Sequence, residues 1–133
     1  MIVLDASAIA EYLDPGSPLH AGVAEELGSD TDWMVPEHCR LETASALRGL
    51  MLGGSLTDDE FRIAMSSLAT AELTHCSTVP LLPRIAELAS NATAYDAAYI
   101  ALAEQLVAPI VTTDVKLSRI PATHCEVRVI SRP

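Results

Sequence analysis

Four acidic residues stand at positions where carboxylates could do chemistry. Asp5 and Asp114 each follow a short apolar run, whereas Glu42 and Asp96 lie in two helical segments. If the four carboxylates converge, they stay ionised together only beside compensating cations, or their pKa values rise. Oxygen ligands suit hard divalent ions such as Mg²⁺ or Mn²⁺, which activate water and screen a phosphodiester. The four residues are therefore candidate metal ligands.

Each of these acids also has an ordinary structural interpretation. Asp5 could be a satisfied loop acid and Glu42 a solvated helix residue. Asp96 could stabilise a helix start through the helix dipole, and Asp114 could form an Asx-turn. Spacing alone supports convergence weakly, so the elements that carry the acids have to decide between the two interpretations.

The hydrophobic pattern predicts an α/β domain that would bring the strand-end acids together. The candidate strands are short apolar runs that alternate with helical segments: MIVL, WMVP, LTHCS, PIVTTD and EVRVI. This alternation predicts a central, mostly parallel sheet of about four to five strands, covered on both faces by helices. Ligands of such sheets bind at the carboxyl ends of strands, which is where Asp5 and Asp114 lie.

Capping residues predict where several helices begin and end. Ser17 is the expected N-cap of the second helix, and Gly28 is expected to end it. Thr57 and Glu60 match a capping box, and Thr93 can cap the helix that carries Asp96. Asp96 therefore falls in a first helical turn, where an acid is tolerated whatever its function.

Composition predicts one globular domain over residues 1–133. Hydrophobic residues make up 50% of the chain, enough for a real core. The longest stretch without Asp, Glu, Lys or Arg spans 11 residues, 73–83, which is too short to cross a bilayer. The N-terminus lacks a basic n-region and the three cysteines are scattered, so we expect a cytoplasmic protein with reduced thiols, without membrane contact.

Charge is distributed unevenly along the chain. The net charge is −10, and residues 1–39 hold eight acids and no Lys or Arg. Such a surface repels a bare phosphate backbone and argues against a protein that coats nucleic acid without selectivity. It permits a divalent cation or a basic protein partner, although a solvated acidic face explains most of these residues equally well.

Four segments together resemble the PIN domain family and, within it, the VapC-type toxins of bacterial toxin–antitoxin pairs. They are IVLDASAIAEYL, VPEHCRLETASALRGL, TAYDAAYIALAE and IVTTDVKLSRIP. The segments occur in the family's order and cover nearly the whole chain. The resemblance implies an α/β/α sandwich, and a Mg²⁺- or Mn²⁺-dependent endoribonuclease that cleaves RNA through metal-activated water.

The resemblance also assigns roles to individual residues. It carries the four catalytic, metal-binding positions onto Asp5, Glu42, Asp96 and Asp114. It places hydroxyl groups that orient the carboxylates at Ser7 and Thr112. Thr112 could equally be an ordinary strand residue, and that alternative stays open from sequence.

The few basic residues near these acids are the expected RNA contacts. Lys116 and Arg119 follow Asp114, and Arg40 precedes Glu42. Each could instead be solvated or bind a protein partner. Because the overall charge repels RNA, we expect recognition of one folded RNA rather than binding of RNA in general.

The resemblance implies a cognate antitoxin that covers the acid pocket and inhibits the enzyme, and a homodimer. Apolar residues at the end of the third helix could form part of an antitoxin groove: Leu47, Leu50, Met51 and Leu52. The same residues could equally belong to the core or to a homodimer face.

Two other functions remain open from sequence. A phosphatase with Asp5 as nucleophile would usually have a second Asp two residues later, but Ser7 occupies that position. A PIN-like module that binds metal or a partner without cleaving RNA would keep the same acids. None of the four histidines fits an acid–base pair, so histidine catalysis is not expected.

Overall fold

A single parallel sheet forms the centre of the computed structural model, which describes residues 1–133. Its strands, in chain order, are β1 (Ile2–Leu4), β2 (Trp33–Pro36), β3 (Thr74–Cys76), β4 (Ile110–Thr112) and β5 (Val127–Val129). They lie in the order β3-β2-β1-β4-β5, and every neighbouring pair is parallel. The predicted α/β class and the predicted size of the sheet are confirmed.

Seven α-helices connect and cover these strands. They are α1 (Ala6–Tyr12), α2 (His20–Gly28), α3 (Cys39–Leu52), α4 (Asp58–Thr70), α5 (Leu82–Glu87), α6 (Ala94–Leu106) and α7 (Val115–Ser118), with one 3₁₀ turn at Val79–Leu81. The chain winds outward from β1 to β3, then returns through α6 to β4 on the other side of β1. Because parallel crossovers are right-handed, α1 to α4 cover one face and α6 covers the other. None of the helices has the length and apolarity needed to cross a bilayer.

The core is built around β1 and α6. All three residues of β1 are buried, and so are seven consecutive residues of α6, from Ala97 to Ala103. Four of those seven are alanines, whose small side chains let the helix backbone lie close to the sheet. The reversal of strand order between β1 and β4 leaves a crevice at their carboxyl ends, beside the start of α6.

Local capping signals predicted three of four helix boundaries correctly. Thr57 and Glu60 form the capping box of α4, and the Thr93 hydroxyl accepts a hydrogen bond from the N–H of Asp96. Gly28 is the last residue of α2, as predicted. The predicted start of α2 is wrong, because Ser17 and the two residues after it form a turn in which the N–H of His20 donates to the Ser17 carbonyl.

The apolar end of α3 does not form the groove that was one of its predicted roles. Leu47 is fully buried in the core, Leu50 and Met51 pack partly against it, and Leu52 is exposed. An apolar groove of about 580 Å³ lies elsewhere, between α1, α2 and α4, and includes Tyr12 and Ile63. The core alternative was therefore correct for most of these residues.

Arg40 has a structural role that replaces its predicted contact with RNA. Its guanidinium donates hydrogen bonds to the carbonyl oxygens of Leu68 and Ala71, the latter at 2.6 Å. These carbonyls end α4, where the helix leaves its last C=O groups without intrahelical partners. A cation is also favoured at that end by the helix dipole. The side chain thus ties α3 to α4 and is not available to a phosphate.

Arg40→Ala is expected to lower the free energy of unfolding by about 1–2 kcal/mol, because two carbonyl groups lose a charged donor. Arg48→Ala is the matched control on the same helix, since Arg48 is exposed and makes no hydrogen bond or ion pair. The control should change stability by less than about 0.5 kcal/mol. Urea unfolding followed by circular dichroism measures both; equal stability of the two variants would refute the capping role.

Candidate active site

Asp5 is the buried centre of the site. It follows β1 directly and is only 7% exposed. Its Oδ2 accepts hydrogen bonds from the Ser7 and Thr112 hydroxyls, each at 2.7 Å. These bonds join residues from the ends of β1 and β4, and they stabilise a carboxylate that burial alone would disfavour.

The same two hydroxyls bind the loop that follows β4. The N–H of Thr113 donates to the Ser7 Oγ at 3.1 Å, and the N–H of Asp114 donates to the Thr112 Oγ1 at 3.0 Å. Each hydroxyl therefore accepts a backbone hydrogen bond and uses its own proton toward Asp5. The network fixes the orientation of the Asp5 carboxylate and the path of the loop together.

Asp114 is the N-cap of α7 and faces the crevice from the β4 side. Its Oδ1 accepts a hydrogen bond from the N–H of Lys116 at 2.9 Å, so this residue forms the Asx-turn of its structural interpretation, and that turn also caps a short helix. Its charge also reaches the crevice, because it contributes to raising the pKa of both Asp5 and Asp96. The capping contact and the proximity to the other acids coexist.

Asp96 enters the crevice from the first turn of α6. Burial raises the pKa of this carboxyl above its usual value of 3.8, and the charges of Asp5 and Asp114 raise it further. Lys116 acts in the opposite direction, which places its ammonium group near the same carboxylate. Repulsion and burial therefore outweigh the favourable position of this acid at a helix start.

Glu42 completes the set from α3. Its half-buried carboxylate accepts a hydrogen bond from the Tyr99 hydroxyl, which is 2.7 Å from Oε1. Burial raises the pKa of Glu42, and the charges of Asp5 and Asp96 add to the increase. Burial likewise raises the pKa of Asp5, despite its two hydroxyl donors. All four predicted acids thus interact electrostatically across one crevice.

Two residues at this site were not predicted from the sequence. Tyr99 is fully buried, and burial raises the pKa of its phenol, so the hydroxyl stays protonated and donates to Glu42. The His38 ring packs edge-on against Tyr99, with the ring centroids 5.3 Å apart. The available signal was the position of Tyr99 three residues after Asp96, which places both side chains on one side of α6.

The donor set at this crevice fits a hard divalent cation. It consists of carboxylate and hydroxyl oxygens, and none of the five ion pairs in the structure involves any of the four acids. No three Asp, Glu, His or Cys side chains are close enough to enclose an ion directly. Mg²⁺ is commonly held by one or two carboxylates while keeping several waters, so its binding does not require three close side chains.

Two basic side chains are exposed on α7 or directly after it. Lys116 lies near Asp96, and Arg119 follows at the end of α7. Neither makes a side-chain hydrogen bond or ion pair with another residue. Lys116 is therefore free to meet an anionic ligand that approaches the carboxylates.

The chain is similar in sequence to known proteins over nearly its whole length. The profile of the PIN domain family matches residues 2–122. The VapC ribonuclease Mb0985 of Mycobacterium bovis is 37% identical over 133 residues, an alignment that covers 99% of this chain and 100% of that protein. Ribonuclease VapC12 of Mycobacterium tuberculosis is 30% identical over 131 residues, covering 98% of this chain and 100% of that protein.

The fold is also similar to solved crystal structures. VapC20 of Mycobacterium tuberculosis, described as a Sarcin-Ricin loop cleaving toxin, matches with a TM-score of 0.70 at 16% identity, over 91% of this chain and 95% of that chain. VapBC2 from Rickettsia felis, bound to a DNA fragment from its promoter, matches with a TM-score of 0.67 at 14% identity, over 98% of this chain and 100% of that chain. At these identities the similarity is one of fold.

Asp96→Asn is expected to stabilise the metal-free chain at neutral pH. A carboxyl whose pKa is raised by folding favours the folded state in acid, and that contribution is lost as pH rises from 3.8 through the raised pKa. Removing the charge should raise Tm by about 2 °C, equivalent to about 0.5 kcal/mol, in EDTA at pH 7. The gain should disappear in acid, where Asp96 is already neutral.

Asp59→Asn is the matched control, because Asp59 is an exposed acid in the first turn of α4. There the helix dipole favours the charge, so its removal should destabilise the chain by about 0.3–1 kcal/mol. Thermal unfolding at several pH values compares the two variants. Destabilisation of the Asp96 variant at pH 7 would contradict the repulsion described above.

Proposed function

This chain belongs to the PIN domain family and, within it, to the VapC group, and we propose that it is a divalent-metal-dependent endoribonuclease and the toxin of a toxin–antitoxin pair. One observation carries the proposal: four carboxylates from β1, α3, α6 and the loop after β4 face one crevice around a buried, hydrogen-bonded Asp5. A single carboxylate could have a purely structural role, but four carboxylates without an ion-pair partner need a cation to balance their charge.

In this proposal Asp5, Glu42, Asp96 and Asp114 would together hold Mg²⁺ or Mn²⁺, with water between the ion and part of the set. Ser7 and Thr112 both donate to Oδ2 of Asp5, so Oδ1 is left without a side-chain donor and is available to the cation. When bound, the cation supplies an activated water and neutralises charge on the phosphodiester. The hydroxyl network keeps the Asp5 carboxylate in one orientation before the cation arrives.

Lys116 and Arg119 would bind phosphates of the RNA at the rim of the crevice. Their exposed side chains lie on or just after α7, next to Asp114. Because the whole chain has a net charge of −10, it repels RNA overall, so binding would depend on divalent cations and on the shape of one folded RNA. An RNA substrate of this kind would place the proposed activity in the cytoplasm.

A cognate antitoxin would inhibit the enzyme by binding next to the crevice. The apolar groove between α1, α2 and α4 offers a surface for an apolar stripe of such a partner, and Ile63 and Glu60 lie on it. Eight acids and no Lys or Arg in positions 1–39 favour a partner with a basic segment.

A homodimer is the proposed assembly of this chain. Leu82 and Tyr95 are exposed beside one shallow depression, and they could form part of the interface between the two copies.

Asp5→Asn and Asp96→Asn are expected to reduce RNA cleavage by at least about 100-fold, because each removes a charge from the proposed cation site. Mapping of cleavage ends in total RNA, with Mg²⁺ and with EDTA, measures the loss. Glu25→Gln, which removes an exposed acid of α2, is the control and should cleave normally.

The alternatives give different results in the same assays. Parent-like cleavage by both aspartate variants would refute the nuclease proposal. A stable phosphorylated Asp5 would support the phosphatase instead. Binding of Mg²⁺ without any cleavage would support a module that binds metal or a partner only.

Ile63→Glu is expected to weaken antitoxin binding at least about 30-fold while RNA cleavage persists, because it places a charge in the apolar groove. Val107→Glu is the control, since Val107 is 92% exposed and lies outside the groove. Co-purification with the antitoxin and growth rescue by it report binding. Equal binding by the two variants would mean that the antitoxin uses another surface.

A further inference from the structure

We propose that Tyr99 is a positioning residue that holds Glu42 toward the cation, an inference that rests on the proposed metal site. The Tyr99 hydroxyl donates to Oε1 of Glu42 at 2.7 Å. This is the one hydrogen bond that the Glu42 side chain makes in the structure. Without it, the orientation of this carboxylate would be set by its flexible side chain and by its charged neighbours.

Those neighbours push Glu42 away from the crevice. The charges of Asp5 and Asp96 both act on its carboxylate, and the side chain is only half-buried. A glutamate has many accessible rotamers, so a repelled carboxylate can turn toward water. The phenol opposes this movement, because a hydrogen bond to an ionised carboxylate is stronger than one between neutral groups. Turning Glu42 toward water would break that bond.

The Tyr99 ring is held firmly enough to act in this way. It is 0% exposed and belongs to the buried stretch of α6. His38 packs edge-on against it at 5.3 Å and against Tyr95 at 5.4 Å. The Cys39 thiol also lies beside the phenol. His38 is the N-cap of α3, and Cys39 and Glu42 lie in its first turn. The start of α3 therefore packs against the Tyr99 side chain, which comes from α6.

The hydrogen bond also decides which oxygen of Glu42 is available. The phenol occupies Oε1, so Oε2 is the oxygen left for the shared crevice. Tyr99 would therefore do for Glu42 what Ser7 and Thr112 do for Asp5, where two donors occupy Oδ2. In each pair, donors on one oxygen fix the direction of the other.

Tyr99→Phe tests this role, because it removes the hydroxyl and keeps the buried ring. Its Mn²⁺ affinity, measured by calorimetry and by electron paramagnetic resonance of the bound ion, should fall about tenfold. Tyr95→Phe is the matched control on the same helix, since its hydroxyl makes no hydrogen bond and its ring also meets His38. The control should bind Mn²⁺ within about twofold of the parent.

A double-mutant cycle separates positioning from a general structural effect. If Tyr99 acts through Glu42, the variant carrying both Tyr99→Phe and Glu42→Gln should bind Mn²⁺ no more weakly than Glu42→Gln alone. Losses that multiply would overturn the proposal, as would parent-like Mn²⁺ affinity of Tyr99→Phe. Thermal unfolding of each variant verifies that the folded chain is being compared.

Asp5→Asn and Asp96→Asn distinguish failure of this inference from failure of the metal site. If both abolish Mn²⁺ binding while Tyr99→Phe binds like the parent, only the role of Tyr99 is overturned. If both bind Mn²⁺ like the parent, the proposed metal site itself is wrong, and the role of Tyr99 is overturned with it.

Discussion

The burial of one carboxylate at the end of the central strand constrains much of this structure. An ionised group that is withdrawn from water loses several kcal/mol of solvation unless it gains donors. Asp5 gains two hydroxyl donors, and one of them, Thr112, belongs to β4. The contact is possible because β4 pairs directly with β1, which is also where the order of the strands reverses. Fold topology and the chemistry of the crevice therefore depend on the same pairing.

The acids gathered around Asp5 lower the stability of the folded chain. Two helices bring Glu42 and Asp96 toward Asp5, and burial together with like charges raises the pKa of each carboxyl. Such an arrangement is typical of functional sites, where local interactions are not optimised for folding. The chain limits the effect by hydrogen bonds from neutral donors rather than by ion pairs. A neutral donor orients a carboxylate while leaving its charge available to a cation.

Sequence was most informative where the determining contacts are local. The caps at Thr57 and Thr93 and the acids at strand ends could be predicted, because each depends on residues within a few positions. The hydrogen bond between Tyr99 and Glu42 could not, since it joins residues 57 positions apart and depends on how α3 meets α6. Arg40 was misassigned for a similar reason, because its partners lie on α4, 28 and 31 positions away. Only the packing of whole helices determines those contacts.

The span of the chain between Asp5 and its partner Thr112 has a consequence for synthesis. The two residues are 107 positions apart, and the crevice also needs Asp96 and Asp114 from the last third of the sequence. Domains are made from the N-terminus at a limited rate, so Asp5 and Glu42 leave the ribosome well before their partners. A chain synthesised only as far as residue 95 consequently has two of the four acids of the crevice, and it lacks Thr112, one of the two hydroxyl donors to Asp5. The crevice is therefore not assembled until the segment that carries Asp96, Thr112 and Asp114 has been synthesised and has joined the sheet.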